Sequence, residues 1–350
     1  MPDSIPRPSL LDAAWDTAVP SSRQEPPPTG DPIQLMRLAE SLYEEGRLED
    51  AWETADAARV GFAASDPIAE TETLYLLACI ARDRGFPHVG EERIARAIEG
   101  RAELTGGAVP LAWYELHAAL AQASDKPTTA ATAWEAAVTV ARSIREQTGE
   151  GTERVCLTLR ALGDSYLARG ETERARATFG ELVMEARSLV AASPDLPAFR
   201  HLTSALQRLG DACQAAHDPA AAIGAYRDAV REAKRAAATS GDAPEALWDL
   251  SVGLNRLGGA QLDADHAQAA IASFEQAVDA RRLFCDVTGR TPQALSALAS
   301  SLSKLGGALA REGEDAAAAA AIEEAATLDR QAALGENHQV HTLVPPPMAR

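Results

Sequence analysis

Aromatic residues make up only 5% of this 350-residue sequence. Val and Ile are also sparse, and no stretch alternates apolar and polar residues with period two, so a β-sheet core is not expected. Cysteine is confined to Cys79, Cys156, Cys213 and Cys285, with no CxxC spacing. That excludes a disulfide framework and the usual structural zinc sites, and the four read as small core residues. Basic residues are outnumbered, 33 Lys and Arg against 51 Asp and Glu, for a net charge of −18. Such a surface repels phosphate backbones and anionic lipid, so neither nucleic acid nor a membrane surface is the expected partner. No uncharged apolar run approaches the roughly 20 residues that a membrane helix needs. The first residues show no basic segment followed by an apolar one, and the expected setting is soluble and cytoplasmic.

Signatures of catalysis are missing as well. There is no GxxxxGK[ST], no GxGxxG after a strand, no HExxH and no GxSxG. The seven histidines are dispersed, and the close pair His338 and His341 falls in a Pro-flanked tail, where both read as solvated. No catalytic residue, metal or cofactor is expected.

What the sequence has is alanine and leucine in helical register. Alanine favours helix and lets helix axes approach closely. Residues 1–30 stand apart, because "IPRPS", "AVPSS" and "EPPPTG" interrupt any helix. Between them lies a short amphipathic island, Ser9 to Val19, on which Leu10, Leu11 and Trp15 share a face. It reads as an idle arm, a self-plug, or a segment offered to a partner. Residues 335–350, rich in Pro, are expected to form a mobile tail.

Between the tails the chain repeats itself. "LRALGDSYLA", "LQRLGDACQA", "LNRLGGAQLD" and "LSKLGGALAR" place Gly163, Gly210, Gly258 and Gly306 at spacings of 47, 48 and 48. Ala39, Ala78 and Ala118 continue the frame upstream at shorter spacing, with His117 where Leu is expected. Each unit reads as two helices. Gly170 and Gly313 fall at turns, where a positive φ is easily supplied, and Pro244 and Pro292 lie just inside helix starts, behind Asp242 and Thr291. Twelve, sixteen and nineteen residues after Gly258 come Ala270, Phe274 and Ala277. After Gly210 the series is Ala222, Tyr226 and Ala229; after Gly163 it is Ala175, Phe179 and Leu182. The small residue is expected to receive the second helix, with the ring plugging the gap between pairs.

Leu162–Gly163, Tyr166, Gly170, Ala175 and Phe179 resemble the tetratricopeptide repeat. That family's unit is about 34 residues, and the longer units here resemble its long-helix bacterial versions. The resemblance spans roughly residues 32–334. It implies an all-α fold, an α-solenoid winding as a right-handed superhelix of about seven antiparallel helix pairs. The expected divisions are the arm at 1–30, degenerate repeats at 31–150, long repeats at 151–334 and the tail.

In that family the first helix of each pair faces a groove, and residues just before the recurring Leu contact ligand. Those positions hold Arg37, Arg208, Arg256 and Lys304, interrupted by Ala161, with Gln207 and Asn255 one residue earlier. The cations suit carboxylates, and the amides suit peptide groups. A structural reading stands beside this one: Asp164 and Asp211 follow the recurring Gly and can pair with the ladder. Tyr43 and Tyr75 suggest a more apolar groove at the N-terminal end, or ordinary core packing. The resemblance implies a non-catalytic scaffold or adaptor that binds a protein or peptide. The alternative is a regulatory sensor whose solenoid changes shape on binding.

Overall fold

The computed structural model describes residues 29–343, with side chains through residue 334. Among the described residues there are fourteen helices and no strand: α1 (Pro32–Glu44), α2 (Leu48–Phe62), α3 (Pro67–Asp83), α4 (Pro87–Thr105), α5 (Leu111–Ala123), α6 (Pro127–Thr148), α7 (Thr152–Ala168), α8 (Thr172–Ala192), α9 (Leu196–Ala215), α10 (Pro219–Ser240), α11 (Pro244–Asp263), α12 (Ala267–Thr288), α13 (Pro292–Arg311) and α14 (Asp315–Leu343). This is the expected all-α solenoid of helix pairs. The island carrying Leu10, Leu11 and Trp15 lies outside the described residues. The chain divides into two compact units between Ser143 and Ile144, inside α6.

The repeat frame holds in all seven pairs, including the irregular upstream ones. Seven residues after each marker, the turn within the pair carries a left-handed residue: Gly46, Gly85, Asp125, Gly170, His217, Asp265 and Gly313. The next backbone N–H donates back across the helix end, as in Glu171 N to Tyr166 O at 2.9 Å and Lys126 N to Ala121 O at 2.8 Å. This 6→1 bond is the Schellman closure, which satisfies a terminal carbonyl and reverses the chain. Ala39, Ala78 and Ala118 are fully buried like their glycine counterparts downstream. The Ala118 pair, faint in sequence, is therefore built to the same plan.

The second unit, from Ile144, shows what the Leu-Gly pair does. A Cβ on Gly258 would lie 2.6 Å from Phe274 Cε1, and one on Gly163 would lie 2.6 Å from Phe179 Cζ. Gly210 meets Tyr226 in the same way. Each ring lies flush on the glycine of its own pair, and two of them also reach the next: Tyr226 shares a buried cluster with Leu254 and Leu257, and Phe274 shares one with Ala308 and Leu309. One aromatic side chain thus closes a seam on two sides. In α14 Ile322 occupies the ring position over Gly306, with Cγ1 2.7 Å from an added Cβ. Half of Ile322 is exposed.

Two details differ from the sequence reading. Thr291 caps α13, its Oγ1 accepting from Ala294 N at 3.2 Å, but Asp242 does not cap α11. Asp242 takes a left-handed conformation (φ 59) and leaves Ala243 at the N-cap. The tail expected from residue 335 is entered by α14, which continues to Leu343. No proline occurs in that stretch before Pro345, so nothing in the backbone stops the helix.

Candidate functional site

The first helices of successive pairs in the second unit, α7, α9, α11 and α13, touch one another and share a face. Arg208, Arg256 and Lys304 all lie on it, and the first two are already engaged. Arg208 Nε sits 3.4 Å from Asp164 Oδ1, and Arg208 Nη1 lies 3.9 Å from Asp211 Oδ2 on its own helix. Arg256 Nη1 pairs directly with Asp211 Oδ1, which also accepts from the Tyr226 hydroxyl at 2.6 Å. The basic ladder is thus interleaved with an acidic one from the preceding repeat. The rule fails at the third rung. The residue that corresponds to Asp164 and Asp211 is Gly259, so Lys304 meets no carboxylate there.

Two hollows mark this face. The first, about 560 Å³, is lined by Arg160, Arg200, His201, Ser204, Gln207 and Asp249. Its charges are balanced: Arg200 Nε pairs with Asp249 Oδ2 at 2.8 Å, and His201 Nε2 lies 3.3 Å from Glu153 Oε1. Gln207 Nε2 donates to the backbone oxygen of Asp249 at 3.2 Å, tying α9 to α11. Burial, opposed by Arg200, holds the Asp249 carboxyl above its ordinary value.

The second hollow, about 530 Å³, lies one repeat further on. Trp248, Asn255, Arg256, Arg281, Ser300 and Lys304 are among its walls, and no acidic side chain is. Asn255 is buried, and its Nδ2 donates to Ser301 Oγ at 2.9 Å. Arg281 comes from the second helix α12, is 4% exposed, and lays its guanidinium over the Trp248 ring at 3.7 Å from the centroid. Its Nε and Nη1 are buried without a hydrogen-bond partner. Burial lowers the pKa of Arg281 to about 10. Burial, reinforced by Arg256 and Arg281, also depresses that of Lys304.

Arg281 and Trp248 escape a reading of the groove positions alone. The signal for Arg281 is a cation four residues after the fully buried Ala277, at a core register on α12. The signal for the uncompensated rung is the change from "LGD" to "LGG" between the second and third long repeats.

The first unit places its expected residues differently. Arg37 is exposed on α1. The Tyr43 hydroxyl donates to Asp83 Oδ2 at 2.5 Å, and burial together with this bond pushes its pKa up to about 12. Tyr75 stacks on Trp113, ring centroids 5.3 Å apart and 11° from parallel. Both tyrosines pack against one buried cluster around Leu74, Ile94 and Trp113. Glu91, nearly buried, holds Lys126 Nζ at 2.5 Å and lies 3.5 Å from His117 Nε2. Among the described residues no group of His, Cys, Asp and Glu is arranged to hold a metal ion, and no helix is long and apolar enough to cross a membrane.

No family model matches the sequence, and no curated protein does. Solved structures do. The C-terminal part of a TPR repeat-containing protein from Cytophaga hutchinsonii is 13% identical, with 86% of this chain and 98% of that one covered at a TM-score of 0.55. A signal transduction ATPase with numerous domains from Pyrococcus horikoshii, which carries a tetratricopeptide repeat sensor, is also 13% identical with a TM-score of 0.55. There 88% of this chain matches 44% of the other. The fold is that of tetratricopeptide-repeat proteins.

Proposed function

We propose that this tetratricopeptide-repeat chain is a non-catalytic interaction module that holds a protein or peptide partner on the first-helix face of its second unit. The observation that carries the reading is the first hollow, walled by polar side chains from three successive first helices, α7, α9 and α11. Side chains such as Gln207 and Asn255 recur at the repeat spacing, which suits an extended chain whose own groups recur. The rest of the basic ladder works mainly inside the protein, because Arg208 and Arg256 are committed to Asp164 and Asp211. Specificity then comes from the walls of the hollows more than from the ladder as a whole.

The test is affinity capture from the native host with the full chain. Ser204→Arg would fill the first hollow, and Arg160→Glu would reverse charge at its rim, while Arg227→Glu on the exposed side of α10 is the control. Partners are expected to be lost with the first two variants and kept with the third. Equal capture by all three would remove the assignment of this face.

A second reading is a regulatory sensor, favoured by the sensor module of the similar ATPase. Its signature would be a change in the radius of gyration of the isolated chain when a partner is added.

A further inference from the structure

We propose that the second hollow is a binding site for a small oxyanion, a carboxylate or phosphate that carries an O–H or N–H donor beside its charge. The site goes beyond the partner-binding reading, and neither requires the other.

Three cations converge there without a matching set of carboxylates. Asp211 is occupied by Arg256 and Tyr226, and Asp249 by Arg200. Lys304 stands where the repeating acidic partner is replaced by Gly259, and Arg281 has no hydrogen-bonded partner among the described residues. A guanidinium 4% exposed with no carboxylate in hydrogen-bond contact is a rare arrangement, because a buried charge is normally neutralised by an opposite one, and Asp249, which acts on Arg281 only from a distance, is already paired with Arg200. Stacking on Trp248 holds the guanidinium plane in place, which preorganises its N–H groups for an oxyanion. The lowered pKa values of Arg281 and Lys304 agree with cations that share one desolvated space.

The donor requirement comes from Asn255. Its Nδ2 is used by Ser301, whereas its Oδ1 is buried and accepts nothing. An occupant that satisfies the hollow brings negative charge to Arg281 and Lys304 and a hydrogen to Asn255. Phosphate carries both when singly or doubly ionised, and so does a 2-hydroxycarboxylate. A simple carboxylate carries only the first.

The experiment is calorimetric titration of the full chain at pH 7 and low salt with inorganic phosphate, lactate and acetate. One saturable site is expected for phosphate and for lactate, with acetate about tenfold weaker. The decisive variant is Gly259→Asp. No atom lies within 4 Å of a Cβ added at Gly259, so the carboxylate enters without disturbing the helix and faces Lys304 as Asp211 faces Arg256. This variant is expected to abolish binding of all three probes while the circular dichroism spectrum stays unchanged. Lys304→Gln is expected to weaken binding about tenfold. Absence of saturable binding by any probe would overturn the site, as would binding that survives both variants. Equal affinity for acetate and lactate would overturn the role given to Asn255. Partner capture depends on the other hollow through Ser204 and Arg160, so the two proposals can fail separately.

Discussion

Asp211 Oδ1 accepts from two directions at once: the guanidinium of Arg256 in the following repeat, and the hydroxyl of Tyr226 in its own. This single carboxylate oxygen therefore joins the charge ladder on the face to the ring that seals the core beneath it. Asp211→Asn is expected to destabilise the protein by about 1–3 kcal/mol, since a half-buried guanidinium and a buried hydroxyl lose a charged acceptor together. Asp164→Asn should cost less than about 1 kcal/mol, because its pair with Arg208 is partly open to solvent and spans 3.4 Å, with no short hydrogen bond to lose. Urea unfolding of the two variants side by side measures the difference.

Gly258 and Gly259 are neighbours with opposite tolerances. Gly258→Ala drives a Cβ into the Phe274 ring and should cost about 1–3 kcal/mol, with Gly258→Leu worse. Gly259→Ala meets open space within a helix and should stabilise by about 0.5–1 kcal/mol. Thermal melts that shifted both variants the same way would contradict the packing described.

Asp265 and His217 occupy turn positions filled by glycine in four other pairs, and both have positive φ (62 and 58). A side chain there costs roughly 1 kcal/mol in the left-handed region. His217→Gly and Asp265→Gly should each stabilise by about that amount, whereas Gly170→Ala, at φ 72, should lose a similar amount. Denaturant midpoints at constant slope provide the check.

His117 gives the first unit a pH dependence. Burial, opposed by Glu91 and reinforced by Lys126, holds its pKa below the ordinary 6.5. The unfolded chain therefore binds the proton more readily than the folded one as pH falls below about 6.5. Stability from this group is complete above that value and declines as pH drops toward the folded pKa. His117→Gln should flatten the stability profile below about pH 6.5. A variant with the original slope would show that other groups set it.

All four cysteines are buried free thiols. Burial, reinforced by Glu185, raises the Cys156 pKa to about 12, and burial also raises those of Cys79, Cys213 and Cys285. The folded protein should react with a disulfide reagent at pH 8 only as fast as it opens, while urea should expose all four thiols. Fast stoichiometric reaction of any one in the native state would place that cysteine outside the core.

The repeat was legible in sequence because its rules are local. A helix needs only its own periodicity, a left-handed turn needs a residue that tolerates it, and a ring needs a side-chain-free position to lie on. Those requirements fix residue types at constant offsets, so Gly163, Gly210 and Gly258 announced the packing of Phe179, Tyr226 and Phe274. The Ala118 pair was fainter because His117 replaces leucine and Ala118 replaces glycine at the marker, although the backbone geometry is the same.

What tertiary structure alone decided was which charges are spent. Arg208, Arg256 and Lys304 look equivalent along the chain, yet carboxylates from the preceding repeat neutralise the first two and leave the third. Arg281 sits on the other helix of its pair and reaches the same hollow only because α11, α12 and α13 close around it. Coulomb energy depends on distance and burial in three dimensions, and both are set by neighbours about a whole repeat away in sequence.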